Sequence, residues 1–162
     1  MRIAIGCDEA AYDLKIEIIK HLEDRKDIEI VDFGSNEGEA VLYPDVGFRV
    51  AKAVAEKKFD RGILLCGTGI GMAICANKIP GVRAAVCHDP YSTERSRKSN
   101  NAQIMCMGAR VIAPELAKYL VDIWLSSDFE GGRSARKVDR INELENEYKM
   151  VSCDTIQTNW LC

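Results

Sequence analysis

The stretch from Gly62 to Lys78 constrains the fold more than any other part of the chain. Its sequence, GILLCGTGIGMAICANK, is a short apolar run that ends in Cys66, then a turn with three glycines, then a segment of helical composition. Such a strand-to-helix turn is typical of open α/β proteins, in which ligands bind at the carboxyl ends of parallel strands. Backbone N–H groups at such a turn can hold an anion and also favour the thiolate form of a cysteine. The turn therefore predicts a base or nucleophile beside an anion hole.

Short apolar runs alternate with amphipathic segments of helical length along the chain. The predicted strands are 2–7, 29–33, 62–66, 83–87 and 103–107, and the predicted helices are 12–25, 44–57, 71–77, 91–99, 114–126 and 134–149. Continuous apolar strands separated by helices indicate a parallel sheet covered on both faces. We therefore expect a Rossmann-like, three-layer α/β fold with five parallel strands. In the first helix, Leu14 and Ile18 mark the buried face, and Lys15 is predicted to point to solvent.

The sequence predicts a single domain over residues 1–150, because the 162-residue chain shows no repeat and no low-complexity linker. Residues 151–162 follow a charged helix and show no clear period. They fit either an ordered tail or a frayed end.

Composition limits the classes of partner and the cellular setting. The formal net charge is −3 and there is no basic stripe, which argues against nucleic acid as the main partner. The apolar runs are too short for a membrane span, and the N-terminus lacks a signal-peptide pattern. The seven cysteines form no CxxC or Cys/His cluster, so neither a disulfide scaffold nor a metal site is expected. We expect a cytoplasmic protein with reduced, mostly buried cysteines.

Cys66 is the main candidate for chemistry, although a cysteine that ends a buried strand is usually structural. The glycines that follow allow a ligand to approach the backbone closely, and Thr68 adds a hydroxyl donor. Nucleotide motifs fit less well, because Met72 stands where a dinucleotide fingerprint has glycine and no GK[ST] follows. We therefore interpret Cys66 as catalytic.

Three further polar residues follow predicted strands and so belong to the same edge of the sheet as Cys66. Asp8 and Glu9 end the first strand, where sugar-hydroxyl binding and a simple acidic turn or N-cap are equally supported. His88 follows the fourth strand and can act as an acid or base near neutral pH. The other histidine, His21, lies among charged residues and is predicted to be at the surface.

A basic cluster near the C-terminus is a candidate phosphate site. Arg133 directly follows two glycines, and Arg136 and Lys137 lie one turn further on. Surface charge is the ordinary explanation for cations on a helix. An arginine placed after paired glycines, with more cations one turn away, can also clamp a phosphate.

Five segments together resemble the ribose-5-phosphate isomerase B / galactose-6-phosphate isomerase family (RpiB/LacA/LacB type) over essentially residues 1–149. They are IGCDEAAYDLK, YPD, CGTGIGMAICANKIPGVRAAV, SRKSNNAQIMCMGARV and FEGGRSARKVDRI. The resemblance implies an enzyme that interconverts aldose and ketose phosphates through an enediolate, with no metal or organic cofactor. It also implies a homodimer or tetramer in which the Asn100 and Arg110 segment completes a neighbour's site.

The resemblance also assigns roles to individual residues of this chain. Cys66 is implied to be the base that moves a proton between C1 and C2, and Asp8 to bind sugar hydroxyls. Asn100 is implied to orient the reacting end of the sugar. The enediolate is implied to be stabilised by Thr68 and by the backbone amides of Gly67, Gly69, Ile70 and Gly71. Phosphate and sugar contacts are implied for Arg110, Arg133, Arg136, Lys137, Glu9, Tyr43 and Ser99.

Three positions depart from the family pattern. Ribose-5-phosphate isomerases of the family usually carry histidine where this chain has Glu9 and Ser99, and arginine where it has Lys137. The histidine at the second position typically assists ring opening of a cyclic sugar. Either His88 supplies that acid–base group, with Arg136 supplementing the phosphate site, or the substrate is a short sugar that cannot cyclise.

The resemblance favours a substrate of the ribose 5-phosphate/ribulose 5-phosphate type. The alternatives are D-erythrulose 4-phosphate, galactose 6-phosphate and allose 6-phosphate. An alternative from another functional class is a catalytically silent sensor that binds a sugar phosphate.

Overall fold

Five parallel strands form the central sheet of the computed structural model, which describes residues 1–158, with side chains as far as Lys149. The strands are β1 (Arg2–Cys7), β2 (Glu29–Asp32), β3 (Arg61–Cys66), β4 (Ala84–Val86) and β5 (Ile104–Gly108). The helices are α1 (Tyr12–Glu23), α2 (Tyr43–Ala55), α3 (Ile70–Ala76), α4 (Pro90–Lys98), α5 (Pro114–Leu125) and α6 (Ala135–Thr158). The strand pairs are all parallel. The predicted α/β fold with a five-stranded parallel sheet is confirmed.

Each face of the sheet has its own hydrophobic core, because alternate residues of a strand point to opposite sides. Leu65 and Met107 lie in the core that α1 and α5 cover. Leu64 and Cys66 lie in the core that α2 and α3 cover. The Cys66 side chain therefore leaves the sheet on the α2–α3 side, from the last residue of its strand.

The spatial strand order is β2-β1-β3-β5-β4, which places a topological switch point between β1 and β3. The chain first adds β2 on one side of β1 and then returns to add β3 on the other. Ligand crevices of open α/β sheets form at such a point, outside the carboxyl ends of the strands. Asp8 follows β1 at this edge, and the glycine turn follows β3. Topology alone therefore directs a ligand to this pair of loops.

Lys15 shows that the prediction from helix periodicity was wrong at one position of α1. Its side chain is only 1% exposed, although the pattern assigns it to the solvent face. Its Nζ donates to Asp32 Oδ2 and to the carbonyl of Ser35, both at 2.6 Å. It also lies 5.1 Å from the centre of the Tyr12 ring. Periodicity reports where apolar residues fall, whereas this burial depends on partners brought in by the tertiary fold.

Residues 130–162 form a unit of their own, distinct in its contacts from residues 1–129. A short 3-10 turn at Gly132–Ser134 leads directly into α6. The predicted tail, 151–162, has a helical backbone as far as Thr158, and its side chains and residues 159–162 lie outside the described residues. The domain boundary at residue 150 stays a prediction. Among the described residues, no helix combines the length and apolar composition needed to cross a bilayer.

Replacing Asp32 by asparagine removes the charge that balances the buried Lys15 ammonium. Breaking such a pair leaves an uncompensated charge, so we expect the free energy of unfolding to fall by about 2–4 kcal/mol, somewhat reduced by the partial exposure of Asp32. Urea denaturation measures this change. The control is Asp24→Asn at the exposed C-cap of α1, for which we expect less than about 0.5 kcal/mol. Equal losses in both variants would contradict the role of the ion pair.

Candidate active site

The turn between β3 and α3 directs a backbone N–H at the sulfur of Cys66. Cys66 is the last residue of β3 and is 5% exposed. The N–H of Gly69 donates to its Sγ at 3.1 Å. Gly69 adopts a φ of +76°, a left-handed conformation that glycine accepts without steric cost. This donor stabilises negative charge on the sulfur, as a thiolate base requires.

Two glycines allow β5 to pack directly against this turn. A Cβ on Gly69 would lie 2.9 Å from the Met107 backbone. A Cβ on Gly108 would lie 2.6 Å from Cα of Thr68. Neither position has room for a side chain, so backbone touches backbone on both sides of the contact. The conformation of the turn is therefore fixed by the end of β5.

Hydrogen bonds from the segment after β5 fix the same contact. The N–H of Ala109 donates to the Cys66 carbonyl at 2.9 Å, and the N–H of Arg110 donates to the Gly67 carbonyl at 3.1 Å. The exposed Arg110 side chain then extends along Gly67, 3.6 Å from where a Cβ would stand. A permanent cation thus borders the turn that carries Cys66.

Asp8 stands beside this turn at the end of β1. Its N–H donates to a β3 carbonyl at 3.3 Å, and its Oδ1 accepts from the Ala10 N–H at 3.1 Å. It therefore caps the short 3-10 turn that begins at Glu9. Burial and the Glu9 carboxylate raise the pKa of Asp8, and the Arg110 charge opposes this. Asp8 therefore combines the cap role with a position at the ligand edge of the sheet.

Tyr43 packs over the first turn of α3. Its ring atoms lie 2.7 and 2.8 Å from where a Cβ on Gly71 would stand, so only glycine fits there. Tyr43 is the first residue of α2 and is partly exposed, and Ile70 beside Gly71 is exposed as well. The phenol therefore lines the approach to the glycine turn.

His88 touches the turn indirectly, through Gly108. Its Nε2 accepts a hydrogen bond from the Gly108 N–H at 2.9 Å, so that nitrogen carries no proton. Burial lowers the pKa of His88, with the Asp89 carboxylate opposing. The imidazole is therefore neutral, with its proton on Nδ1.

Ser99 and Asn100 lie at the opposite edge of the sheet from Cys66. They precede β5, whose first residue pairs with Gly62 and whose last residue pairs with Cys66. The four intervening steps along the strand span roughly 13 Å. Within one chain, Asn100 is therefore separated from Cys66.

The cations Arg133, Arg136 and Lys137 are all exposed in the unit formed by residues 130–162. They line one groove together with Arg140 and Glu143, which form an ion pair at 2.9 Å. The sequence prediction of a cation cluster at the start of α6 therefore corresponds to one surface. Within the part of the chain that the structure describes, no cluster of three or more His, Cys, Asp or Glu side chains is placed to hold a metal ion.

The sequence did not predict the role of Gly108, which packs against Thr68 in the turn between β3 and α3. A signal was present, because MGAR follows an apolar strand and places a glycine at the carboxyl edge of the sheet. Its contact with Thr68 depends on the neighbouring positions of β3 and β5, which the strand order determines.

Comparisons with known proteins show the family and the fold of the chain. The family model described as Ribose/Galactose Isomerase matches residues 3–141. The chain is 59% identical over 147 residues to Ribose-5-P isomerase B of Listeria innocua, covering 91% of this chain and 99% of that protein. It is 53% identical over 150 residues to D-erythrulose-4-phosphate isomerase of Pectobacterium atrosepticum, covering 92% and 98%. Ribose-5-phosphate isomerase B from Clostridium thermocellum is structurally similar, with a TM-score of 0.88, 48% identity and coverage of 91% and 99%.

Gly69 and Gly81 form a matched pair that tests the contact between β5 and the turn. Their φ angles are +76° and +77°, but a Cβ on Gly69 would meet backbone at 2.9 Å, whereas one on Gly81 would meet nothing within 4 Å. Gly81→Ala should lower the free energy of unfolding by about 1–2 kcal/mol through its φ alone. Gly69→Ala should lower it by about 3–5 kcal/mol, because the backbone must also shift.

Chemical denaturation of the two variants measures the difference. Equal losses would show that the backbone conformation of Gly69, and not its contact with Met107, limits the substitution.

Proposed function

The chain belongs to the Ribose/Galactose Isomerase family, and on that premise we propose that it is an aldose–ketose isomerase of a phosphorylated sugar with Cys66 as its base. The observation that supports this most is the Gly69 N–H directed at the Cys66 sulfur from 3.1 Å. It lies at the switch-point edge of the sheet, where ligands of such folds bind. The chain matches relatives named as isomerases along nearly their whole length, and this similarity supports the same activity.

In the proposed reaction the Cys66 thiolate removes the proton from the carbon next to the carbonyl group. The electron pair of that C–H bond forms the C=C bond of an enediolate, and the electrons of the C=O bond move onto its oxygen. The resulting thiol returns the proton to the former carbonyl carbon, while the hydroxyl proton of the other carbon passes to that oxygen, so that carbonyl and hydroxyl exchange places. The negative charge on oxygen is met by the remaining N–H groups of the turn and by Thr68. Thr68 Oγ1 accepts from the Ile70 N–H at 3.4 Å, which leaves its own hydrogen available for the oxyanion. No other redox group is needed, because the sugar is oxidised at one carbon and reduced at the next.

The remaining polar residues are proposed to hold the sugar. Asp8 would bind hydroxyl groups, since it stands beside the turn at the end of β1 and a carboxylate accepts hydrogen bonds from them. Arg110 is a proposed phosphate ligand because it borders Gly67. For Arg133, in the separate groove of residues 130–162, the support for a phosphate role is the family resemblance. Binding energy from the phosphate would position the reacting carbons at the sulfur.

A homodimer or tetramer with shared sites is proposed, because Asn100 is separated from Cys66 in its own chain. Large apolar side chains on and beside α2 and α3 are 49–73% exposed, as expected for surfaces that another subunit covers. They are Leu42, Phe48, Ile70 and Ile74. The free cysteines support the proposed cytoplasmic setting.

The proposed substrate is of the ribose 5-phosphate type, with D-erythrulose 4-phosphate as the second candidate. The relative at 59% identity is named for ribose 5-phosphate, and the relative at 53% identity is named for D-erythrulose 4-phosphate. The second candidate is favoured by Ser99, which has no group to open a sugar ring, and by His88, whose Nε2 already accepts a hydrogen bond. A tetrulose phosphate needs no ring opening.

Cys66→Ala should lower kcat by at least about 1,000-fold, because the base is removed while the phosphate contacts remain. KM should change much less. Turnover and deuterium uptake from D2O into the sugar carbon measure the loss of proton transfer. The control Cys75→Ala removes an α3 thiol that donates to the Pro44 carbonyl at 3.2 Å, and it should keep normal kcat. Normal turnover in Cys66→Ala would eliminate the proposed base.

A panel of C4, C5 and C6 aldose and ketose phosphates tests the substrate. We expect turnover of both the C4 and the C5 compounds, and the higher kcat/KM identifies the preferred substrate. The measurement is kcat and KM for each compound with the wild-type protein. Preference for a C6 phosphate would contradict the proposal, and tight binding of every compound without turnover would establish the sensor function in its place.

A further inference from the structure

The backbone N–H of Gly108 donates to a side chain. In a continuous sheet it would donate to a backbone carbonyl of the neighbouring strand. The ladder between β4 and β5 ends at Val86 and Cys106, and the N–H of Cys87 then donates to the Cys106 carbonyl at 2.9 Å. Beyond this point β4 has ended, and Gly108 is buried. Nε2 of His88 fills the next acceptor position at 2.9 Å. The imidazole thus continues the ladder by one hydrogen bond.

Gly108 is also the residue that packs against the turn that follows Cys66. Its Cα lies so close to Thr68 that an added Cβ would stand 2.6 Å from Thr68 Cα. The next residue, Ala109, donates to the Cys66 carbonyl at 2.9 Å. A displacement of Gly108 therefore moves both the hydroxyl donor and the sulfur.

We propose that His88 is a positioning residue for the isomerase: the lone pair of its Nε2 holds Gly108, and Gly108 holds Thr68 and Cys66 in their reacting arrangement. The proposal deepens the proposed function and rests on it. It differs from the proton-transfer role that the sequence predicts for His88. While Nε2 accepts the Gly108 N–H, that nitrogen takes no proton from a sugar.

The positioning role requires a neutral imidazole, since a protonated Nε2 cannot accept from an N–H. The charged group beside the ring is Asp89, the N-cap of α4; burial lowers the pKa of His88, and the Asp89 carboxylate raises it by less. From β5 the ring faces the uncharged Gly108 backbone, followed two residues later by the cationic Arg110. The neighbouring thiol of Cys87 has its own pKa raised by burial and stays neutral.

The sign of the pH dependence follows from that lowered pKa. When the pKa of a histidine is lowered by folding, its contribution to the free energy of unfolding is fully present above the ordinary pKa of 6.5. This contribution is lost as the pH falls below 6.5 toward the folded pKa, because the unfolded state binds the proton more readily. The wild-type protein should therefore lose kcat on the acid side of pH 6.5 as the bond to Gly108 breaks.

Three variants test the proposal through kcat and KM for ribose 5-phosphate and D-erythrulose 4-phosphate between about pH 5 and 9. His88→Ala should lower kcat about 10- to 100-fold on both sugars, because the turn shifts, with little change in KM. His88→Gln should restore kcat to within about 3-fold of the wild type, because its Oε1 accepts a hydrogen bond near the position of Nε2. Its acid-side loss should also be smaller than that of the wild type, since an amide does not titrate. The control, His21→Gln, changes a histidine that pairs with Asp122 at 3.0 Å and should match the wild type.

One kinetic pattern would overturn the proposal. If His88 transfers a proton during ring opening, His88→Gln will lose as much activity as His88→Ala on ribose 5-phosphate, and both will stay active on the tetrulose phosphate.

A substrate-free measurement separates this proposal from the proposed function. Nitrogen-15 NMR should show an unprotonated Nε2 on His88 at neutral pH, and hydrogen exchange of the Gly108 amide should speed up in His88→Ala but not in His88→Gln. Unchanged Gly108 exchange in His88→Ala would overturn the positioning role. If the wild type turns over neither sugar, the proposed function fails, and the exchange result still decides whether His88 holds Gly108.

Discussion

The backbone contact between the end of β5 and the turn after β3 determines where the candidate catalytic atoms lie. Gly69 rests on Met107, Gly108 rests on Thr68, and neither contact leaves space for a Cβ. Such contacts cannot relax by rotating a side chain, since backbone meets backbone. The sulfur, the hydroxyl and the turn N–H groups thereby form one rigid set, which is what a site for a developing charge requires.

The electrostatics of this edge favour an anion at the turn. The Gly69 N–H faces the sulfur at 3.1 Å, and the Arg110 side chain lies along Gly67. On the other side, burial and then the Glu9 carboxylate raise the pKa of Asp8, while the Arg110 charge lowers it. The phosphate and the enediolate both carry negative charge, and isomerisation of a sugar phosphate requires donors that stabilise each of them. The same edge has donors for both.

The sequence predicted the features that depend on local patterns. Apolar runs and turn glycines located the strands and helices, and the strand ends placed Asp8, Cys66 and His88 at one edge. What it could not give depends on which strands become neighbours. Lys15 is buried because Asp32 and Ser35 come to it from another part of the chain. The partner of His88 is a backbone N–H, which every residue except proline carries and which therefore leaves no sequence signal.

The central claim is that the Cys66 sulfur meets the reacting carbons while the glycine turn holds the oxygen. A crystal structure with a phosphorylated hydroxamic acid, whose planar N–O and carbonyl groups mimic an enediolate, tests it most directly. We expect Sγ within about 3.5 Å of the atom that replaces the reacting carbon, and the oxygen about 2.7–3.1 Å from N–H groups of the turn. An inhibitor bound with its hydroxamate away from Cys66 would contradict the account.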